Sequence, residues 1–552
     1  TGPMPSITIT AQIEAQLDRR LFGGFLERPT FSSEHGPEAV CDDAGRLPPA
    51  VIAKLAELGT QLVRFPGGTG VDYDDWTDLI DKAPGRADPA RPLTKGFRGG
   101  EYSNRFGLDE FFDLRDELGF APLLVTNLGD ALDGRRSIAD AAQHAAGMLA
   151  YCVAEPGAVQ ADAIDWGAIR AANGRPEPVS VGLVAVGNEI WFKWPPKPEE
   201  RKRLGLADDA AVIQRHVDCL VAYADALHAV SPQVELIVDG LHDPWNPDNR
   251  SANILRRQVL LHPDVRSRYR HVTIHQYAPM GVYASRRHGE TVPGTELSDD
   301  EAWYGLLAAP GIFDDAGRNT AFGGWLDDLV AADYRIAATE WNWNAWRVKK
   351  RIGKRPYSDA LPMGLGAAGY LNGLIRQARY TDLGCQSMML GTTWGITAVR
   401  ATEGKDPYFL PQGQVLAAYN ATPGNRVLAL KERHLPGVPQ AVQFTPWYPV
   451  ATRMALIDAV AIAEDTGVTL CLVHRARTDS NALRVILDAT LPTAASATVR
   501  TITGPADADF KAGPSLHSSE DTIELSADQR SIDLILPPAA VVFLRLDYTP
   551  SP

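Results

Sequence analysis

Cysteine is scarce in this chain, positive charge is in deficit, and no apolar stretch is long. Five cysteines among 552 residues (Cys41, Cys152, Cys219, Cys385 and Cys471) are scattered, odd in number and free of CxxC spacing. This argues against a disulfide framework or a zinc site and fits a reducing compartment. Cys152, Cys219 and Cys471 lie in apolar runs and read as inert core filling. A formal charge of -14 offers phosphate no basic face, so nucleic acid is not expected as a partner. No run of apolar residues reaches the length of a membrane span. Pro66-Gly67-Gly68-Thr69-Gly70 is glycine-rich but lacks a following Lys-Ser/Thr, which makes a phosphate loop a poor reading. Repeats and low-complexity tracts are absent. Thr1-Gly2-Pro3-Met4 reads as a tag remnant ahead of a native Met, no basic-then-apolar leader follows, and cytoplasmic residence is the expectation.

What is present is an ordinary globular composition, 45% hydrophobic and 22% charged, on a chain too long for one core. Strand-like apolar runs at Leu21–Leu26, Leu62–Phe65, Pro122–Asn127, Gly182–Glu189, Val234–Asp239, His271–Tyr277, Ile336–Trp341 and Gln386–Leu390 alternate with segments of helical period. The helical segments include Pro49–Leu58, Gly107–Leu118, Ser137–Val153, Ala210–Val230 and Met363–Leu383. The strands show little polar alternation, as parallel strands covered on both faces do. Eight such repeats predict an α/β fold, a (β/α)8 TIM barrel over residues 21–423. Its largest loops are Asp72–Asn104 and Ala278–Asn319. Beyond Gly424, short alternating strands (Val468–Arg475, Ala482–Ala489, Ala497–Thr503, Val541–Asp547) predict a C-terminal antiparallel β-sandwich domain over 424–552. Residues 1–20, through Ile7–Ile13, are expected to add a strand to it.

Two of these strands stop on a glutamate flanked by Trp and Asn: Val184-Ala185-Val186-Gly187-Asn188-Glu189-Ile190-Trp191 and Ile336-Ala337-Ala338-Thr339-Glu340-Trp341-Asn342-Trp343. A carboxylate at the end of a buried strand must be paired or desolvated, and the adjoining aromatic surface suits a sugar face. In a barrel, strand C-termini face the active site, and the fourth and seventh strands lie across the mouth from each other. Paired carboxylates there are the equipment of a glycosidase. An apolar surround raises a carboxyl pKa, which fits Glu189, near Trp191 and Trp194, as general acid. Glu340 must stay ionised, and His275 and Tyr277 on the sixth strand and Arg64 on the second are placed to keep it so.

Each of these residues has a plainer reading. A single Asn-Glu at a strand end is more often a loop residue or helix cap; two at matching barrel positions are a different matter. His275 alone is equally a packed, hydrogen-bonded histidine, and Arg64 a barrel-floor ion pair for Glu27 or Glu340. Trp341, Trp343 and Trp346 are core or cleft wall, with at least one expected to face sugar. Arg286-Arg287 and Lys349-Lys350-Arg351 read as solvated surface.

With those residues in view, the chain resembles the family 51 glycoside hydrolases, α-L-arabinofuranosidases of a retaining (β/α)8 clan. The resemblance is carried by Leu21-Phe22-Gly23-Gly24-Phe25-Leu26-Glu27, Val63-Arg64-Phe65-Pro66-Gly67-Gly68, Asn104-Arg105-Phe106-Gly107-Leu108-Asp109-Glu110-Phe111, Val125-Thr126-Asn127-Leu128-Gly129, Gly187-Asn188-Glu189 with Trp194, His275-Gln276-Tyr277 and Thr339-Glu340-Trp341-Asn342. It implies catalysis by Glu189 and Glu340, and substrate contacts from Glu27, Arg64, Asn188, Trp194, His275, Tyr277, Trp341 and Trp394. It also implies an intracellular homo-oligomer acting on glycosides without a metal or other cofactor.

Departures from the family pattern cluster where sugar is held. Thr69 stands where the family has Asn after Pro-Gly-Gly, Arg28 and Pro29 follow Glu27 where it has His, and Trp394-Gly395-Ile396-Thr397 replaces Trp-Arg-Gln-Thr. Sugar selectivity rests on such hydroxyl partners, so these changes point to altered recognition. The expected activity is exo-acting retaining hydrolysis of an α-L-arabinofuranoside. The alternatives are a β-glycosidase or endo-glycanase of the same clan, or a non-catalytic carbohydrate-binding barrel.

Overall fold

The computed structural model describes residues 2–28, 35–158, 162–240, 250–278, 284–287, 290–293, 298–307, 321–343, 360–393, 395–439, 442–443, 453–505 and 508–550. Eight parallel strands close into a barrel in sequence order. They are Gly23–Phe25, Leu62–Phe65, Ala121–Thr126, Leu183–Val186, Glu235–Val238, His271–Ala278, Arg335–Trp343 and Thr381–Ser387, numbered one to eight below. Period-two alternation divides their side chains between two cores. Phe25, Leu62, Leu123, Val125, Leu183, Ala185, Ile237, Ala337, Leu383 and Cys385 fill the barrel. Val63, Phe65, Leu124, Val184, Val186, Leu236, Val272, Ile274, Ile336 and Ala338 face outward into the helix layer.

The helices match local chemistry. Pro49–Leu58 has proline in its first turn and ends on left-handed Gly59, and Leu108–Leu118 ends the same way on Gly119. Ser137 caps Ile138–Val153 by accepting from the Asp140 amide, and Asp208 caps Asp209–Val230 through the Ala211 amide. One expectation fails at the eighth unit. The helix predicted over Met363–Leu383 is Ala360–Arg376, and the strand predicted over Gln386–Leu390 is Thr381–Ser387. Polar Thr381 and Asp382 disguise the strand, but Thr381 is buried and Asp382 is bound by Arg335 of the adjacent strand seven and His271 of strand six.

Beyond the barrel lies a nine-stranded sheet whose joins are antiparallel except one. Ser6–Gln16 sits within it, antiparallel to Arg426–Arg433 and parallel to Asn481–Leu487. The sheet curls so that Ile7, Ile9, Leu470, Leu472, Val485, Leu534 and Leu544 share one core. The alternate residues Val460, Ile462, Cys471, Val541 and Phe543 pack on the barrel's helices. Asp458 locks the join, accepting from Asn372 Nδ2 at 2.8 Å and Arg376 at 2.9 Å; burial would raise its carboxyl, but Arg376, Arg475 and Asn372 outweigh it and hold it below the usual range. All five cysteines are buried and free. Among the described residues no helix is long and apolar enough to cross a membrane.

Candidate active site

The barrel mouth gathers residues from six strands, and parity places most of them. Arg64 points inward because Leu62 does, two residues earlier; His275 and Tyr277 share the face opposite Val272 and Ile274; Ser387 follows Leu383 and Cys385. Strand seven breaks the rule. Ala337 faces the barrel and Ala338 the helices, yet Glu340 faces in and Trp341 faces out. Register shifts against both neighbouring strands fall between Ala337 and Trp341, and this irregularity re-aims the carboxylate.

Glu189 reaches the mouth differently. Strand four ends at Val186, and Glu189 lies three residues on, with φ 47° and ψ 48°. A carboxyl oxygen of Glu189, one of Glu340 and a ring nitrogen of His275 lie within 4.8 Å of one another. Arg64 donates to Glu340 Oε1 at 2.9 Å and to Asn188 Oδ1 at 2.6 Å. Tyr277 donates its hydroxyl to Glu340 Oε2 at 2.6 Å and lies 2.8 Å from Ser387 Oγ. His275 Nδ1 is 3.1 Å from Glu189 Oε1, while Nε2 is 2.8 Å from Thr339 Oγ1. Phe25 backs the Arg64 guanidinium at 4.3 Å. Glu27 enters from the end of strand one and passes so close to Gly68 that a Cβ there would overlap its carboxylate.

Environment splits the carboxylates. Burial alone would raise Glu340, but His275, Arg64 and Tyr277 outweigh it and hold the carboxyl below its ordinary range. Glu189 is raised, by burial first and then by the charge of Glu340, against the pull of His275. Glu27 is pushed well above the ordinary range by burial and by Glu340, with Arg64 and the Thr69 amide opposing. Burial would lower His275, yet Glu340 and Glu189 raise it. Opposed shifts in two facing carboxyls are the pattern of an acid paired with an ionised partner.

Glu189, His275 and Glu340 are also the one grouping with metal-ligand spacing among the described residues. Both Glu340 oxygens already accept from Arg64 and Tyr277, and a cation there would sit against the guanidinium.

Two expected sugar contacts do not stand at the pair. Trp194 is buried edge-on against His216 of Asp209–Val230, with ring centroids 5.7 Å apart. Trp341 stacks on Tyr370 of Ala360–Arg376 at 4.8 Å. The strand that presents Glu340 inward necessarily sends Trp341 the other way, and Trp343 packs beside Gly366 of the same helix. Trp394 and Trp346 lie outside the described residues, as does Lys349-Lys350-Arg351. Arg286 and Arg287 lie in a hairpin strand, Ala284–Arg287. Four polar partners went unread in sequence: Thr339, Ser387, Asp72 and Lys193. Correct placement of strand eight would have found Ser387 at its end.

A family model described as Alpha-L-arabinofuranosidase 1 domain matches residues 54–277, a span holding Arg64, Asn188, Glu189, His275 and Tyr277. Over that span the chain is similar to alpha-L-arabinofuranosidases. Alpha-L-arabinofuranosidase C of Emericella nidulans is 28% identical over 238 residues, 42% of this chain and 41% of that one. An intracellular exo-alpha-(1->5)-L-arabinofuranosidase of Bifidobacterium longum is 29% identical over 202 residues, 35% of this chain and 32% of that one. The matched segment thus spans less than half the length of these curated relatives. In fold the likeness runs throughout. The alpha-L-arabinofuranosidase of Thermotoga maritima, solved as an arabinose complex, superposes with a TM-score of 0.73 at 18% identity, covering 98% of this chain and 100% of that one. A family 51 alpha-L-arabinofuranosidase from Bifidobacterium longum superposes with a TM-score of 0.72 at 18% identity, over 99% and 100%.

The departures from family 51 are built into this fold. Arg28 pairs with Asp74 at 3.0 Å and bonds Asn104, Thr69 opens a 3-10 turn beside Glu27, and the Ile396 carbonyl accepts from Asn342 at 2.6 Å.

Proposed function

We propose that this chain is a retaining, exo-acting glycoside hydrolase with an α-L-arabinofuranoside as its leading substrate. The reading is carried by the facing oxygens of Glu189 and Glu340 within 4.8 Å. Retaining enzymes set their carboxyls about 5–5.5 Å apart, whereas inverting ones leave room for a water between them. Glu340, ionised and oriented by Arg64 and Tyr277, attacks the anomeric carbon and forms a glycosyl-enzyme. Glu189 protonates the departing oxygen, then takes a proton from the water that releases the sugar.

Asn188 is set to hold the sugar 2-hydroxyl. Arg64 takes its Oδ1, which leaves Nδ2 as a buried donor with no partner among the described residues. Such a donor is costly unless a ligand or water accepts from it. Glu27, raised and beside Gly68, and His275 serve the non-reducing sugar. The division at residues 20/21 and 423/424, the homo-oligomer and intracellular residence belong to the same proposal; relatives named intracellular support the last.

A panel of nitrophenyl furanosides and pyranosides, with NMR of the first-formed anomer, tests the reading. Hydrolysis of the α-L-arabinofuranoside with retained configuration is expected. An inverted product refutes the mechanism, and preference for a pyranoside moves the chain to a different sugar. No turnover on any substrate leaves a carbohydrate-binding barrel.

A further inference from the structure

Glu189 holds a left-handed backbone conformation that a glutamate adopts only when its surroundings impose it. The residue before it is held by a buried ion pair. Asp72, on the turn after strand two, is completely buried, and its carboxylate accepts four hydrogen bonds. Oδ1 takes the amides of Leu128 at 2.8 Å and Gly129 at 3.1 Å, after strand three. Oδ2 takes the Asn188 amide at 3.0 Å and Lys193 Nζ at 2.7 Å, after strand four. Lys193 Nζ also donates to the Asn188 carbonyl at 3.4 Å. The peptide groups on both sides of Asn188 are therefore held by one acid and one base, and the second of them is the peptide that leads into Glu189. Arg135 donates in turn to the Asp72 carbonyl, which fixes the acid itself.

We propose that Asp72 and Lys193 are positioning residues for the proton transfer by Glu189. The inference rests on the functional reading above and deepens it. Neither side chain reaches the carboxyl pair, and both act through the Asn188-Glu189 backbone. Three consecutive loops meet on the Asp72 carboxylate, so the turn is braced from strands two and three, which take no part in the proton transfer. A misplaced acid matters in proportion to how much the leaving group needs a proton. That dependence separates positioning from a general loss of structure.

The test compares wild type with Lys193→Met, Lys193→Arg and Asp72→Asn on two glycosides of the preferred sugar. One carries a 2,4-dinitrophenolate leaving group, which departs without protonation; the other carries methanol, which does not. For Lys193→Met and Asp72→Asn, kcat/KM on the methyl glycoside should fall about 10–100-fold. On the dinitrophenyl glycoside it should fall less than about 3-fold. Lys193→Arg, which retains the charge, should recover most of the loss. Should Asp72→Asn fail to fold, Lys193→Met carries the comparison alone. Equal losses on both substrates, or none on either, overturn the inference while leaving the functional reading intact. A wild type inactive on every glycoside overturns both.

Discussion

The two ends of this barrel carry polar clusters built from the same strands, and they resolve their charges in opposite ways. At the closed end, strand six contributes His271, strand seven Arg335 and strand eight Asp382. Arg335 Nε lies 3.1 and 3.0 Å from the two Asp382 oxygens, and His271 Nε2 lies 3.0 Å from Oδ2. Burial would raise the Asp382 carboxyl, but His271 and Arg335 outweigh it and depress it far below its ordinary value. At the mouth the same strands supply His275, Glu340 and Ser387, and Glu27 and Glu189 join them. Three carboxyls there share one guanidinium and one imidazole. Where acid and base balance, the cluster is a clasp. Where acid is in surplus, burial and the charge of Glu340 raise Glu189 and Glu27 while Glu340 itself is held low, and the carboxyls are driven apart.

The largest expected effect breaks the mouth. Glu340→Gln should reduce hydrolysis of aryl glycosides by about 10⁴-fold or more while the melting temperature holds. Glu189→Ala should cost about 10²–10⁴-fold on poor leaving groups and regain rate with azide, the glycosyl azide being identified by mass spectrometry. Unchanged rates in both variants would assign the chemistry elsewhere. Tyr277→Phe removes a donor from Glu340 and should lower kcat by about 10-fold. Glu340 lies below and Glu189 above the ordinary 4.5. In the pH profile of kcat/KM, activity should therefore rise with loss of the Glu340 proton and fall only with loss of the Glu189 proton above 4.5. Tyr277→Phe should move the acidic limb upward.

The closed end should respond in stability alone. Asp382→Asn is expected to cost about 2–4 kcal/mol in urea denaturation, with kcat of the folded enzyme retained. Asp382 is depressed on folding, so its contribution is complete above its unfolded value of 3.8 and is lost as pH falls toward the folded one. Wild type should therefore lose stability below about pH 4 more steeply than the variant. The smallest effect concerns the tryptophans. Trp194→Phe and Trp341→Phe should each cost about 1–2 kcal/mol and leave KM unchanged. A raised KM would return either ring to the cleft wall.

How far this was legible follows from burial and period. Helix Pro49–Leu58 and strand Leu62–Phe65 match their sequence pattern to the residue, because proline, glycine and an apolar run mark their limits. Strand eight was not legible, since Thr381 and Asp382 look like loop until their barrel partners are known. Trp341 misled because an aromatic beside a carboxylate reads as cleft wall, though neighbours on a strand face opposite ways; Trp194 lies past strand four, beyond the turn after Glu189, where only the packing of Asp209–Val230 decides its direction.

By itself the sequence determined that seven apolar strands would alternate with helices, and that Arg64, His275 and Tyr277 would point inward. Those outcomes depend only on local period and on which face can be buried. It could not determine that Glu340 would join them, because its parity is reversed by irregular pairing with strands distant in the chain. Nor could it place Glu189, whose left-handed turn is held by Asp72 from 117 residues earlier in the chain, through Asn188 and Lys193. Long-range pairing and a buried ion pair have no local signature, so the meeting of the two carboxyls was settled only when the barrel closed.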